Sequence, residues 1–526
     1  MELLIILAPF IVLFGLILGA KKSVLTASFW AALVMVLSTW WWGVEALTAS
    51  GAFLKAGLVT FDIGLIQIGA LLFLDTLKAS KALEKIKQTL LGISADKRVQ
   101  AIIIGVFFVG LVEGLAGFGT PAMLAAPLLA SMGLSLPIAV LVALVGNAVV
   151  VPFGAAGTPL LIGLEQGAAT LANYGPAVFE STLHRLLIIN LPALILVPMI
   201  ISLIVSHDQF RNWKRGFEIW RFSLLSGLVY ALSVVGIALY LGPEFPALLG
   251  AMIAGAIMIF ALKYSSIVPV SQAEPLSALE NQKVLPGLAQ SLAPTALVIG
   301  LLLVSRIDIL PDLSSFFDFF RIEINQSLGA ARLIHQLNLA TSPGSYLILG
   351  SILASWLLSL KTKTFLTLSG ETLKKSLRPI ASLLCLIFIT QLLLFSSVNT
   401  RDLVSIPVWA ASQAIALPLP WIVLAPLVGL LGVLVTGSVT VSNLLFTSFQ
   451  GQAAELSQTP LDLVLAAQIL GAAAGNMIAL HNLIAVATTL GAKNKEGDFL
   501  KLMIKPALIL MATISLLALL WASWLG

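Results

Sequence analysis

Charge is what this sequence has least of. Asp, Glu, Lys and Arg make up 10% of its 526 residues, against roughly 25% in a soluble domain, which excludes a water-exposed globular surface for most of the chain. Cysteine is nearly absent. The lone Cys385 sits inside an apolar run, leaving no disulfide within the chain and no cysteine-ligated metal site. Four histidines without a His-Glu-x-x-His pair give no zinc-hydrolase signature, and there is no Gly-Lys-Ser/Thr loop to hold a nucleotide. The run Gly114-x-x-Gly117-x-Gly119 has the glycines of a dinucleotide loop but neither its strand-to-helix setting nor its downstream acid. These gaps argue against an enzyme and against an ATP-driven pump, and no cofactor or metal is expected.

What is abundant is apolar sequence, 59% of the chain. Runs recur at 3–18, 24–42, 100–116, 186–205, 222–241, 246–262, 379–395 and 506–525. A crossing needs about 20 such residues, and the pattern predicts an all-α polytopic membrane protein with roughly 12 to 14 transmembrane helices. The first run carries Glu2 and no base, so a cleaved leader is not expected. Basic residues cluster at span ends, so the formal charge of +5 implies the lipid bilayer rather than nucleic acid as a partner. With the N-terminus outside, every Lys and Arg falls in an inner loop except Lys55, Arg185, Arg306, Arg321, Arg332 and Arg401. That bias is the one expected of cytoplasmic loops.

Two apolar regions are interrupted. The first, 100–160, breaks at Glu113-Gly114-Leu115-Ala116-Gly117-Phe118-Gly119-Thr120-Pro121, then at Gly146-Asn147 and Pro152-Phe153-Gly154-Ala155-Ala156-Gly157-Thr158-Pro159. The second, 418–490, breaks at Thr436-Gly437-Ser438-Val439-Thr440-Val441-Ser442-Asn443 and at Gly475-Asn476-Met477-Ile478-Ala479-Leu480-His481-Asn482. Under the loop charges the first region runs outward and the second inward, as inverted repeats with broken or re-entrant segments would. The other reading is a chance pair of small-residue helices packed tightly together. The chain divides accordingly into an N-terminal half (1–206), central helices and linkers (207–344) and a C-terminal half (345–526). The inner linker 265–286 and the outer loop 306–345 read as connections without a site.

No Lys or Arg occurs between Arg98 and Arg185 or between Arg401 and Lys493. An anion reaching either break would therefore meet helix N-termini, whose free N–H groups suit a carboxylate. Pro121 fits the first turn of such a half-helix. Candidate substrate ligands are Gly117, Gly119, Thr120, Asn147, Ser438, Thr440, Ser442, Asn443, Gln468, Asn476 and Asn482, a set suited to a small monovalent solute. Glu113 lies in an otherwise apolar run where an ionised carboxylate costs at least a few kcal/mol. It is the first candidate for proton coupling, against a carboxyl that stays protonated on a neighbouring carbonyl. His481 is the second, against a structural imidazole. Asp62 is a weak site candidate and Asp75, beside Lys78, a solvated helix end.

At these residues the chain resembles the bacterial lactate permeases. The likeness rests on EGLAGFGTP (113–121), PFGAAGTP (152–159), TGSVTVSN (436–443) and AAQILGAAAGNMIALHN (466–482), with ASKALEKI (79–86) after the third span. It covers nearly the whole chain. The resemblance implies proton-linked import of lactate, glycolate or a related 2-hydroxy monocarboxylate across the bacterial cytoplasmic membrane. The chain departs from that pattern at Val439 and Ala148, where polar residues are more usual. A sodium-coupled or exchange carrier for another small organic anion is the alternative. A channel would use the same breaks, but Glu113 at one of them favours coupling. A non-transporting membrane scaffold leaves both polar islands unexplained. Nothing in the sequence bears on oligomeric state.

Overall fold

A computed structural model of the chain describes residues 2–525 except 21, 118, 170, 265–287, 305–320, 329–330, 341 and 493–494. Lys21, Phe118, Lys283, Arg306, Lys493 and the linker 265–286 lie outside the described residues. The architecture is helical because long apolar segments in lipid must satisfy their backbone groups internally. Among the described residues, nine helices are long and apolar enough to cross a membrane. A bent pair, Leu136–Ala148 with Val151–Gly167 at 61°, adds a tenth if it counts as one span. Five further apolar helices are shorter, and two of them border the breaks.

Helices α1 (Glu2–Phe14), α2 (Val24–Trp41) and α3 (Ala46–Ala79) open the chain. Ser23 starts α2 by accepting from the Thr26 amide at 3.2 Å. The amphipathic α4 (Ala82–Leu91) buries Ala82, Leu83 and Ile86 and exposes Glu84 and Lys85. The first interrupted region holds α5 (Lys97–Leu115), α6 (Thr120–Ser131), α7 (Leu136–Ala148) and α8 (159–167). There follow α9 (Pro176–Phe210), α10 (Trp220–Leu241), α11 (Pro246–Tyr264), α12 (Leu288–Val304), α13 (Pro343–Leu357), α14 (Thr362–Phe395) and α15 (Ile406–Ala414). The second interrupted region holds α16 (Trp421–Thr436), α17 (Val439–Leu456), α18 (Leu461–Gly475) and α19 (Leu480–Thr489), and α20 (Glu496–Leu525) closes the chain.

Between α12 and α13 the structure differs from the sequence reading. The loop read as a plain connection contains a two-stranded antiparallel hairpin, β1 (Arg321–Leu328) and β2 (Ala331–Asn338). Alternation in β2 buries Leu333, His335 and Leu337, and a lone hairpin is marginal without something to pack on. Here it packs on α3. Lys55 Nζ donates to the Ile334 carbonyl at 2.5 Å and lies 3.2 Å from His335 Nδ1. Asp62 Oδ2 sits 3.0 Å from His335 Nε2. Asp62 is thus spent on holding the hairpin. Asp75 accepts from Thr372 of α14 at 2.9 Å and lies near Lys78 and Lys375.

Both interrupted regions fold as hairpins. Lys97, at the start of α5, reaches Gln209 Oε1 at 2.9 Å, and Gln209 donates to the Gly133 carbonyl just past the end of α6. The chain has therefore turned back between α5 and α6. Ser135, where α7 begins, donates to Asp208 at 2.7 Å. In the second region Trp421, at the start of α16, donates to Gln450 late in α17 at 2.8 Å. The following turn is held by Asp462, which accepts from Ser181 and, at 3.2 Å, from Arg185. Ser181 and Asp208 both lie on α9, 27 positions apart, or about 40 Å at the helical rise. The two turns therefore sit at opposite ends of α9.

Glycine permits the close helix crossings that membrane packing uses. A Cβ on Gly146 of α7 would strike the Gly105 carbonyl of α5, and one on Gly471 of α18 would strike the Pro426 backbone of α16. Gly146→Ala is expected to destabilise the fold by about 1–3 kcal/mol through overpacking. Thermal unfolding in detergent should show a lower midpoint than for Gly175→Ala, where nothing lies within 4 Å of the added carbon.

Candidate functional site

Each hairpin turns because its glycines accept left-handed backbone. Gly117, Gly119 and Gly437 have φ of +56°, +79° and +70°, values that cost a residue with a Cβ about 1–2 kcal/mol. Between α7 and α8 the chain takes three left-handed residues in a row, Ala155, Ala156 and Gly157, at φ 44°, 53° and 76°. Two alanines in that region are strained, and strain of this kind gathers at functional sites. Pro121 and Pro159 each follow a Gly-Thr pair and stand in the first turn of α6 and α8.

The breaks converge. A narrow cavity is lined by Glu113, Gly117, Gly119, Val151, Gly154, Ala155, Thr158, Pro159, Gly437, Ser438, Val439, Thr440 and Asn476. Three helix starts border this space: α6 behind Gly119, α8 behind Thr158 and α17 behind Ser438. Only Ser438 caps its own helix, accepting from the Val441 amide at 3.4 Å. No Lys or Arg belongs to the lining, so positive potential there comes from helix ends.

Contacts between the regions are reciprocal. Thr158 Oγ1 lies 3.3 Å from Thr440 Oγ1, and Asn443 Nδ2 donates to the Pro159 carbonyl at 2.9 Å. The second break of region one thus meets the first break of region two. Conversely, Gly119 in the first break of region one packs on Asn482 in the second break of region two. Within each region Gly117 abuts Ala155 and Gly437 abuts His481.

The candidate residues divide by placement. Glu113, Gly117, Gly119, Ser438, Thr440 and Asn476 line the cavity. Glu113 is buried, and a Cβ on Gly154 would collide with its Oε1; its Oε2 has no partner among the described residues. Asn147 lies beside it, with neither side-chain polar atom in hydrogen-bond geometry. Thr120 lies off the lining and donates to the Gly117 carbonyl at 2.7 Å, tying the turn to itself. Ser442 donates to the Gly429 carbonyl at 3.0 Å, which spends its hydroxyl on α16–α17 packing. Gln468 donates to the Ser442 carbonyl, and Asn482 Nδ2 to Asn476 Oδ1 at 2.7 Å. Asn443, Gln468 and Asn482 each keep a buried carbonyl oxygen unpaired. His481 is exposed, on the far side of Gly437 from the lining.

Seven lining residues were not among the candidates: Val151, Gly154, Ala155, Thr158, Pro159, Gly437 and Val439. Thr158 was signalled by the repeat Gly119-Thr120-Pro121 and Gly157-Thr158-Pro159. Val151 carried no signal, being one more apolar residue in an apolar stretch. Val439 puts an apolar wall at the start of α17.

The sequence matches the L-lactate permease family from residue 2 to residue 525. The chain belongs to the L-lactate permease family. It is therefore a multi-pass membrane protein of a family of transporters. A protein of Haemophilus influenzae is 28% identical over 512 residues, spanning 93% of this chain and 92% of its own length. A glycolate permease of Escherichia coli is 26% identical over 514 residues, 91% of this chain and 87% of its own. An L-lactate permease of Bacillus subtilis is 23% identical over 500 residues, 86% and 84% respectively.

The contact of Glu113 with Gly154 is directly testable in this permease. Gly154→Ala should displace the carboxyl at a cost of about 1–3 kcal/mol, roughly 5- to 150-fold in substrate binding. Adding Glu113→Asp, one methylene shorter, should recover part of the lost affinity for labelled lactate. A double variant no better than Gly154→Ala would show that the collision is not the cause.

Proposed function

We propose that this permease imports lactate or a closely related 2-hydroxy monocarboxylate such as glycolate, by proton symport, across the bacterial cytoplasmic membrane. The observation that carries the reading is the junction of three helix starts around a small cavity that holds one carboxyl and no basic side chain. Partial positive charge from helix N-termini suits a monovalent carboxylate. The hydroxyls of Thr158, Ser438 and Thr440 and the amide of Asn476 can serve the substrate's 2-hydroxyl and its second carboxylate oxygen. The names of the glycolate and L-lactate permeases among its relatives support this substrate class.

The two hairpins are the alternating element of this reading. The turns that follow them, at opposite ends of α9, and their reciprocal contacts support two inverted repeats, with the N-terminus outside as the loop charges imply. Glu113 carries the proton. It stands against the cavity wall, and a carboxyl there changes its proton affinity as the site opens or closes to water. A gradient can drive the solute only through such a difference between states. Sodium is the alternative driving ion. Carbonyls freed where α5, α7, α16 and α18 end, with Ser438, Thr440 and Asn443, would then be its ligands.

Glu113→Gln keeps the shape of the neutral carboxyl and removes the exchangeable proton. In proteoliposomes it should abolish lactate accumulation driven by a pH gradient while lactate counterflow persists. Normal accumulation by this variant would contradict the role of Glu113, and accumulation following only a sodium gradient would replace the coupling ion. Removing a hydroxyl that bonds the substrate, as in Thr158→Val or Ser438→Ala, should weaken lactate binding by about 1–3 kcal/mol, read as a roughly 5- to 150-fold rise in the half-saturating concentration, with glycolate affected in parallel.

A further inference from the structure

Helix α10 buries three hydroxyls on one face, Ser223, Ser226 and Tyr230, each fully enclosed and each without a hydrogen-bond partner among the described residues. The spacing of three and four places them in a line along the helix. Many buried helix hydroxyls elsewhere fold back on their own helix, although Ser206 and Thr447 do not. Thr60, Thr76, Ser351, Ser376 and Thr390 each donate to the carbonyl four residues before. Ser202, on the neighbouring α9, donates to the Gly216 carbonyl at 2.9 Å. An unpaired buried hydroxyl costs about 1–3 kcal/mol, so three in register call for a physical reason.

The line leads to Glu113. The Tyr230 ring stands edge-on to Phe107 of α5 at 5.8 Å. Its hydroxyl lies over Gly110, where an added Cβ would come within 2.5 Å of it. Gly110 is one turn before Glu113 on the same helix, so the Tyr230 hydroxyl lies about one turn from that carboxyl along α5. At the other end, Ser223 lies five residues past Glu218, a half-exposed acid that receives Arg98 at 2.8 Å. Asp96 also holds Arg98 there, at 2.6 Å. Between these ends the packed helices bring no further charge: α9 from 186 to 206 and α11 from 246 to 262 contain no Asp, Glu, Lys, Arg or His.

We propose that Ser223, Ser226 and Tyr230, with intervening water, form a file that carries the proton between Glu113 and the Glu218 end of the molecule, the side the basic loops assign to the cytoplasm. This rests on the reading of Glu113 as the proton carrier. Along the helix axis the three residues are spaced about 4.5 Å and 6 Å apart, so water between their hydroxyls completes the file. Polar partners at this spacing are what an internal water requires. Glu113 gives up its proton to the file. Each hydroxyl and water accepts one proton and passes one on, so the file ends uncharged, and the last proton leaves to water beside Glu218. The substrate does not travel this way; it leaves from the cavity.

The test uses the full chain in proteoliposomes, with lactate as probe and a trapped pH-sensitive dye. Tyr230→Phe with Ser226→Ala should slow lactate-driven proton entry about tenfold or more, while lactate counterflow, which needs no proton release, stays within about twofold. Ser226→Thr, which keeps the hydroxyl, should couple as wild type. Normal proton entry in the double variant, or equal loss of counterflow and proton entry, overturns the file and leaves the three residues a packing role. Wild-type protein that takes up lactate without moving protons removes both the reading of Glu113 and the file. Wild-type coupling alongside an unaffected double variant removes the file alone.

Discussion

A broken helix inside a membrane frees backbone N–H and C=O groups that lipid cannot satisfy. Everything at the centre of this permease follows from that constraint. The breaks lie against one another around a shared cavity, so each supplies polar partners to the others. Asn443 reaches the Pro159 carbonyl across the junction, and Thr158 meets Thr440 there. Asn482 is spent on the Asn476 backbone and side chain while packing on Gly119. A site that must be polar to be stable is thereby also a site for a hydrogen-bonding solute.

The surrounding helices hold this junction by close packing rather than by charge. Gly105 with Gly146, Gly429 with Gln468 and Gly471 with Pro426 bring backbones together at positions where a methyl group would not fit. The long α9 holds the turns that follow both hairpins, through Asp208 with Ser135 at one end and Arg185 with Asp462 at the other. In the reading proposed here α9 is a fixed strut between two moving hairpins, and Glu113, present in one region with no counterpart four residues before Gly437, makes the two halves chemically unequal.

Much of this was legible in the sequence. Apolar length gave the helices, and the glycine-rich islands marked where they break, because few other residues tolerate the backbone needed at Gly117, Gly119 and Gly437. The family was readable from the same islands. Other features were not. Thr120 and Ser442 look like ligands in sequence, but local geometry turns their hydroxyls onto the Gly117 and Gly429 carbonyls. The hairpin that docks His335 on α3 lay in a loop whose alternation is only eight residues long. Tyr230 and its serines sit in an ordinary apolar span, and only tertiary packing against Phe107 and Gly110 brings them toward Glu113.

The central claim is that two oppositely directed hairpins meet at one cavity, and sidedness tests it most directly. With Cys385→Ser removing the single native thiol, Ser131→Cys marks the turn after α6 and Glu455→Cys the turn after α17, both at exposed positions. A membrane-impermeant maleimide applied to intact cells should label the second variant and leave the first unlabelled until the membrane is opened. Labelling of both from the same side would contradict the account.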